Sequence, residues 1–344
     1  MSTECQSTKP DTLPLVSIVI IGRNEGERLV ACLNSIGEIN APTFLHEVIY
    51  VDSASTDGSP RRAAELGAQV ISVRPERPSA ALGRNAGWQA ARGDYIMFLD
   101  GDTILDRDFI RIALQSFADP AVAIVWGHRR ELAPKKSIYN RVLDLDWIYP
   151  PGDSDFCGGD ALVRRSVLEV VRGFDQSLIA GEEPEMCRRI RDWGWRIVHL
   201  DLPMTQHDLA IRYFSAYWRR AFRAGHAYAE IATRFQGTRD PLWQRESRRN
   251  LAHASILLFG TIFEIFLLAW GSQPALALAG FLAACAGLVL LRSTRRNAWK
   301  CGTLKTRWLY ALHSHFQQIP IFCGQVVQRW HARYGRQRQL IEYK

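Results

Sequence analysis

The sequence predicts an α/β fold in which a mostly parallel sheet is followed by helices long enough to cross a membrane. Over residues 15–209, short β-branched and apolar runs alternate with stretches of helical apolar spacing, which is typical of βαβ units. Polar and acidic residues stand immediately after three of these runs. Beyond residue 250, two stretches nearly free of charge approach the roughly 20 residues that span a bilayer.

The first strand and helix occupy the start of this region. Residues 16–21 form a β-branched run that suits a buried strand, and a polar loop containing Glu25 follows. Leu29, Leu33 and Ile36 then recur at helical spacing, so one apolar face of a helix is expected to cover the sheet. The loop with Glu25 is therefore predicted at the end of a strand.

The next two strands are predicted at residues 47–51 and 70–73. Asp52 ends the first of them, and Asp57 lies in a small polar loop before the following helix. Asp57 has two open interpretations. It is either a helix cap, because aspartate accepts backbone N–H groups at helix starts, or a ligand contact.

The stretch from residue 83 to residue 102 is the most informative part of the chain. A helix containing Arg84 ends at a Gly-Asp break, residues 95–99 form an apolar strand, and Asp100 and Asp102 follow. This strand is predicted at the centre of a covered sheet, because it is apolar on both faces. Open α/β sheets bind ligands beyond the carboxyl ends of their strands. Two close carboxylates there suit Mg²⁺ or Mn²⁺, which completes its shell with water and substrate phosphates.

Several motifs follow one another in order along the chain. The loop after the second strand, the Arg84 helix and the Asp-Gly-Asp of residues 100–102 are followed by glycine and acidic segments and by His207. These segments are residues 51–58, 84–94, 100–102, 156–165, 173–175, 181–189 and 194–197. Together they resemble the family 2 glycosyltransferases of the GT-A fold (nucleotide-diphospho-sugar transferase-like), in which a histidine often stands, as His207 does here, after the last strand.

The resemblance implies a nucleoside-diphosphate sugar donor, a divalent metal (Mg²⁺ or Mn²⁺) on its diphosphate, and inversion at the anomeric carbon. The implied metal ligands are Asp102 and Asp100, with His207 completing the shell or touching the diphosphate. Asp52 is implied to hold the nucleoside base, and Arg84 to contact the nucleotide. Asp100, Glu25 and Asp57 complete the predicted donor-binding set.

The acceptor side is implied by the glycine segment and by an acidic helix start. Gly158, Gly159 and Asp160 stand where the family has its acceptor-side segment, and the family's catalytic base is the Asp of a Glu-Asp pair. Glu183 occupies that position. The extra methylene departs from the family, so Glu182 is a second candidate for the base. The alternative is structural, because acidic residues in a first helical turn stabilise the helix macrodipole.

The charge is divided unequally along the chain. Residues 1–209 carry 23 Lys/Arg and 30 Asp/Glu, a net charge of −7, whereas residues 210–344 carry 20 Lys/Arg and 5 Asp/Glu, a net charge of +15. A basic half suits nucleic acid or an anionic membrane surface, and the apolar stretches favour the membrane. The seven cysteines are scattered without a Cys-x-x-Cys pair, which argues against a disulfide framework and for a reducing compartment.

Residues 251–291 are predicted to form a transmembrane hairpin with an uncharged turn around Ser272. Basic residues flank both ends, which places both ends on the cytoplasmic side and the turn outside. The catalytic half then lies at the cytoplasmic face of the membrane. Glu264 is expected to face the partner helix or to be protonated. The alternative is a buried hairpin in a soluble protein.

Two more segments are predicted to contact the membrane surface. Phe214, Trp218 and Phe222 share one face of a basic helix, which suits a membrane surface or packing against the catalytic domain. Residues 309–330 are apolar but interrupted by polar residues, so they are either interfacial or re-entrant. The predicted domains are residues 1–14 (flexible tail), 15–209 (catalytic), 210–250 (interfacial), 251–291 (hairpin) and 292–344 (basic C-terminal segment).

The sequence therefore predicts a membrane-bound, inverting, hexosyltransferase-type enzyme of polysaccharide or glycan assembly. Its predicted partners are a nucleoside-diphosphate sugar, a lipid-linked acceptor and the membrane, and nucleic acid is not among them. A membrane anchor raises the local concentration of a polyprenol-linked or glycolipid acceptor. Two alternatives stay open: a nucleotidyltransferase, for which residues 22–25 offer only a poor phosphate loop, and an inactive nucleotide-sugar-binding membrane protein.

Overall fold

A computed structural model describes residues 13–74, 78–178, 180–300 and 303–334. The predicted N-terminal tail lies almost entirely outside the described residues, as does the end of the basic C-terminal segment. Within the described ranges, an N-terminal α/β part is followed by a C-terminal group of helices, as the sequence predicts.

Nine strands and twelve α-helices occur in the described residues. The strands are β1 (Leu15–Gly22), β2 (Leu45–Ser53), β3 (Gln69–Val73), β4 (Tyr95–Asp100), β5 (Thr103–Leu105), β6 (Val122–Glu131), β7 (Gly152–Asp153), β8 (Ala161–Arg164) and β9 (Arg196–His207). The helices are α1 (Glu27–Gly37), α2 (Ser59–Glu65), α3 (Ala80–Ala90), α4 (Phe109–Ala113), α5 (Ile138–Asp144), α6 (Arg165–Val171), α7 (Glu182–Asp192), α8 (Phe214–Arg234), α9 (Gln244–Trp270), α10 (Gln273–Arg296), α11 (Leu304–Phe316) and α12 (Gln318–Arg333). Short 3₁₀-helices lie at Leu114–Ala118, Leu145–Trp147 and Ala298–Lys300.

The strands of the described chain form one mixed sheet in the order β3-β2-β1-β4-β8-β6-β9-β5, with β7 paired to β9. The strands β3, β2, β1 and β4 are parallel, as predicted. The other half of the sheet is mixed, because β6 is parallel to β9 whereas β8 is antiparallel to both β4 and β6. Ala161 at the start of β8 pairs with Phe98 near the end of β4, so β8 begins at the same sheet edge at which β4 ends. An antiparallel partner in this position does not require the crossover connection that a parallel strand would.

The core of the α/β part lies on both faces of β1 and β4. The side chains of Val19, Ile20, Ile96 and Leu99 have no exposed surface, which confirms that these are central strands. Helix α3 packs closely on β1 because it presents Gly87. A Cβ there would lie 2.2 Å from Cγ1 of Val19.

The helix α8 packs on α12 through two glycines. A Cβ on Gly225 would lie 2.0 Å from the carbonyl oxygen of Ile321, and a Cβ on Gly324 would lie 2.0 Å from that of Phe222. The backbones of α8 and α12 are therefore in direct contact. The amphipathic helix α8 packs firmly on the rest of the protein, which is one of the two placements that the sequence predicts for it. The predicted segment 309–330 divides at Gln317 into α11 and α12.

The helices α9 and α10 are each long and apolar enough to cross a membrane. They extend beyond the predicted span 251–291 at both ends, and Gly271 between them adopts a positive φ of 70° that suits glycine. Most of their large side chains are exposed, including Phe259, Phe266 and Leu288. Within the described residues these helices are therefore not the buried core of a soluble bundle.

Candidate active site

A cavity of about 480 Å³ opens at the carboxyl ends of β1 and β4. This is the sheet edge at which the sequence places its polar strand ends. The end of β4 supplies Asp100, the loops after β1 and β4 supply Glu25 and Asp102, and the strand β6 supplies Arg129. Helix α8 supplies Arg220 and Arg223. The cavity therefore lies between the catalytic sheet and the C-terminal helices.

Asp100, Asp102 and His207 come together at this edge, although His207 is more than 100 residues from the others. Asp100 ends β4, and His207 ends β9, which pairs with β5 so that Thr103 lies opposite His207. The Nε2 atom of His207 lies 3.1 Å from Oδ1 of Asp102. One potential ligand atom from each of the three residues lies within 4.8 Å of the others.

The imidazole of His207 is held in its neutral form. Burial and the positive charge of Arg129 lower its pKa from 6.5 to about 3. Within the described chain, its buried Nδ1 atom has no hydrogen-bond partner. A neutral imidazole beside two carboxylates is the donor set that fits a divalent cation such as Mn²⁺. The residues present therefore fit the predicted metal.

Arg84 connects this group to the acidic start of α7. Its Nη2 atom lies 3.0 Å from Oδ1 of Asp100, and its Nη1 atom lies 3.0 Å from Oε1 of both Glu182 and Glu183. The three carboxylates outweigh the effect of burial and raise the pKa of the guanidinium. Arg84 is 2% exposed and is not among the described residues that line the cavity. Its ion pairs position these carboxylates, and its contact with the nucleotide stays a prediction.

The two glutamates of α7 differ in their surroundings. The side chain of Glu182 is 6% exposed, and that of Glu183 is 18% exposed. Burial, followed by the charge of Glu183, raises the pKa of Glu182 from 4.5 to about 7. The pair therefore holds one carboxylate whose proton is easily exchanged at neutral pH and a second that is more accessible to a substrate.

The acceptor-side glycine segment packs directly against these charges. A Cβ on Gly159 would lie 2.5 Å from Nη2 of Arg84, so only glycine leaves room for the Arg84–Asp100 ion pair. Asp160 has no exposed surface and accepts hydrogen bonds from the Asp100 backbone N–H at 3.0 Å and from Thr205 Oγ1 at 2.7 Å. Its carboxylate therefore positions Asp100, and its contact with an acceptor stays a prediction.

The predicted donor-side residues take separate places. Glu25 lines the cavity and pairs with Arg28 at 2.8 Å. The carboxylate of Asp52 is buried and accepts a hydrogen bond from the Ser55 backbone N–H at 3.1 Å. Asp57 accepts hydrogen bonds from the backbone N–H and hydroxyl of Ser59, which overcome burial and lower its pKa. Gly58 is the N-cap residue of α2, so Asp57 stands one residue before the cap and orders the loop there, and its predicted ligand contact stays a prediction.

Sequence reasoning missed Arg129 and Trp147. Arg129 lies 3.1 Å from Oδ2 of Asp100, and its guanidinium lies 4.9 Å from the ring of Trp147. The position of Arg129 at the end of β6 was the available signal, since a polar strand end is what identified Asp100. No sequence pattern indicated Trp147.

Comparisons with known proteins agree with this geometry. Residues 17–172 match the family described as glycosyl transferase family 2. The glycosyltransferase AglE of Haloferax volcanii is 24% identical over 229 residues, which cover 64% of this chain and 75% of AglE. The pre-mycofactocin glycosyltransferase of Mycobacterium tuberculosis is 27% identical over 241 residues, which cover 66% of this chain but about half (49%) of that protein.

A solved structure is similar over nearly the whole chain. The mannosyltransferase PcManGT from Pyrobaculum calidifontis, in complex with GDP-Man and Mn²⁺, superposes with a TM-score of 0.66 and 25% sequence identity. The superposition covers 93% of this chain and 88% of that one, so it includes the C-terminal helices.

Proposed function

Because this chain is a family 2 glycosyltransferase with a GT-A fold, we propose that it transfers a sugar from a nucleoside diphosphate to a membrane-associated acceptor, with inversion. One observation carries the proposal. Arg84 lies 3.0 Å from the metal-side carboxylate Asp100 and 3.0 Å from both Glu182 and Glu183. One guanidinium therefore holds both the carboxylate on the metal side, which suits the leaving diphosphate, and the two carboxylates suited to deprotonate the attacking hydroxyl.

Asp100, Asp102 and His207 are the residues that would hold a divalent metal on the donor diphosphate. The bound ion would act as a Lewis acid and stabilise charge on the departing nucleoside diphosphate. Arg129 and Asp160 keep Asp100 oriented from two sides. Carboxylates and a neutral imidazole support Mn²⁺ or Mg²⁺ in this place.

Glu183 is the proposed general base, and Glu182 assists it. A base that removes the acceptor's proton needs access to the substrate, and Glu183 is the more exposed of the two. The raised pKa of Glu182 allows it to share a proton with its neighbour near neutral pH. Both stand at the start of an eleven-residue helix, whose macrodipole stabilises their negative charge.

The acceptor is proposed to be lipid-linked, either a polyprenol-linked sugar or a glycolipid. Support comes from the cavity, since Arg220 and Arg223 of α8 form one of its walls. The helices α9 and α10, which are apolar enough to span a membrane, follow α8 directly. Their basic flanks support the proposal that the catalytic part lies on the cytoplasmic side, where nucleotide sugars are made available.

The test is transfer by membranes that contain the full chain, with a panel of labelled nucleotide sugars. The expected result is label from one donor in the lipid extract, together with release of free nucleoside diphosphate. Matched membranes with Asp102→Asn should transfer no label above background. Label confined to water-soluble products would contradict a lipid acceptor, and release of pyrophosphate would contradict glycosyl transfer.

A further inference from the structure

Trp147 forms a wall of the cavity that no motif identified. It ends the 3₁₀-helix Leu145–Trp147 and lines the cavity. Its ring centroid lies 5.2 Å from that of His207, at an interplanar angle of 75°. Its face is covered by the guanidinium of Arg129 at 4.9 Å and that of Arg220 at 5.9 Å. Trp147 therefore touches one proposed metal ligand and the arginine that orients another.

The orientation of His207 depends on packing to an unusual degree. Metal-binding histidines usually donate their second ring N–H to a polar partner, which fixes the plane of the ring. In the described chain the buried Nδ1 atom of His207 has no such partner. The edge-to-face contact with Trp147 occupies that role, because it restricts the ring while Nε2 faces Asp102.

The turn that carries Trp147 is fixed by the C-terminal helix α11. Asp146 accepts a hydrogen bond from the Tyr310 hydroxyl at 3.0 Å, and its other oxygen lies 3.1 Å from Nε2 of His313. Lys300 donates to the Leu145 carbonyl at 2.8 Å. These contacts join residues about 160 positions apart, on opposite sides of the hairpin.

The contacts around Asp146 also extend to helix α8. The hydroxyl of Tyr217 lies 2.8 Å from Nδ1 of His313, and the charge and hydrogen bond of His313 overcome burial to lower the pKa of Asp146. Asp146 is thus an ionised anchor between two helices and the turn. Tyr310 and His313 are not among the described residues that line the cavity, so they act on it through the elements that they hold, which are this turn and α8.

We propose that Trp147 is a positioning residue for His207 and Arg129, and that α11 holds it in place through the Asp146–Tyr310–His313 contacts. This inference rests on the metal-assisted glycosyl transfer proposed above. It assigns to the helices beyond the hairpin a part in metal binding, in addition to any part in anchoring. The catalytic site is complete only when α11 is docked.

The test is the affinity of the full chain for Mn²⁺, measured by the electron paramagnetic resonance signal of the free ion in detergent. Loss of an orienting partner of a metal ligand typically lowers metal affinity about 10–100-fold. Trp147→Ala is expected to raise the Mn²⁺ Kd by about that factor. Trp147→Phe, which keeps an aromatic ring, should restore most of the affinity. Trp193→Ala, which removes a tryptophan that is 66% exposed, is the matched control and should leave the Kd unchanged.

Tyr310→Phe tests the second half of the proposal without changing the cavity wall. It removes one hydrogen bond to Asp146 and is expected to raise the Mn²⁺ Kd several-fold while the circular dichroism spectrum is retained. A wild-type Kd in both Trp147→Ala and Tyr310→Phe would overturn this inference and leave the proposed function standing. Absence of Mn²⁺ binding by the wild-type chain would overturn the proposed metal site and this inference together.

Discussion

Replacing Glu183 by glutamine removes the charge of the proposed base while keeping the shape of its side chain. General-base catalysis is typically worth about 10²–10⁴-fold in rate, which corresponds to about 2.7–5.5 kcal/mol in the barrier. Glu183→Gln is therefore expected to lower turnover by that factor. Arg84 keeps Glu182 and Asp100 at 3.0 Å, so nucleotide binding is expected to stay nearly unchanged.

The same substitution has an effect on Glu182 that gives a second readout. The charge of Glu183 is, after burial, the main cause that raises the pKa of Glu182 to about 7. Without it, that pKa falls toward the ordinary value near 4.5, so Glu182 loses its proton at a lower pH. Any residual activity that depends on ionised Glu182 is expected to extend to more acidic pH in Glu183→Gln.

The assay is initial-rate transfer at saturating donor across pH 5–9, together with calorimetric titration of the nucleotide. Glu169→Gln is the matched control, because that carboxylate is 55% exposed and lies on α6. Glu183→Asp should retain activity if the backbone lies where the family places it. Normal turnover in Glu183→Gln with loss in Glu182→Gln would assign the base to Glu182. Normal turnover in both variants would refute the assignment of the acceptor side to α7.

Three further outcomes are expected. Chelation should abolish transfer, and Asp102→Asn should weaken nucleotide binding only when metal is present; full activity in excess chelator would contradict the metal site. A cysteine at Ser272, in a background without other reactive thiols, should label from outside intact cells, whereas release of the protein by high salt alone would contradict the hairpin. The depressed pKa of His207 makes the folded state lose stability as pH falls from 6.5 toward 3, because only the unfolded chain then binds its proton. Between pH 7.5 and 4.5, the free energy of unfolding measured by denaturant titration should therefore fall by about 2–3 kcal/mol less in His207→Asn than in wild type. Equal decreases in the two proteins would contradict the depressed pKa of His207.

The strand ends of the catalytic part were predictable because they depend on local pattern. An apolar run followed by Asp100 and Asp102 identifies both a central strand and its functional edge, and the structure agrees. That a histidine stands at the end of the last strand followed from the family resemblance alone, whereas its register opposite Thr103 is known only from the structure. The antiparallel insertion of β8 was not predictable, because the residue pattern of a four-residue strand does not show whether it runs parallel or antiparallel to its neighbours.

The residues that support the site from behind, such as Arg84 and Asp146, were not predicted in these roles for a different physical reason. Arg84 was predicted to contact the nucleotide, and its ion pairs with the carboxylates of α7, 98 residues later, were not foreseen. The contact of Asp146 with His313 joins positions 167 residues apart. Such contacts are set by how elements pack, and a single sequence shows neither the neighbours of a side chain nor the direction in which it points.

The distance along the chain between Asp146 and His313 also determines how long after the synthesis of Asp146 its partner His313 becomes available. A ribosome that adds about 5–20 residues per second needs roughly 10–30 s to make the 167 residues between them. During that interval the ribosome also makes the rest of the α/β part, from β7 to β9, and then the helices α8, α9 and α10. The support that α11 gives to Trp147 therefore arrives late in synthesis, and under the inference proposed above the metal site is completed only after the helices of the hairpin have been made.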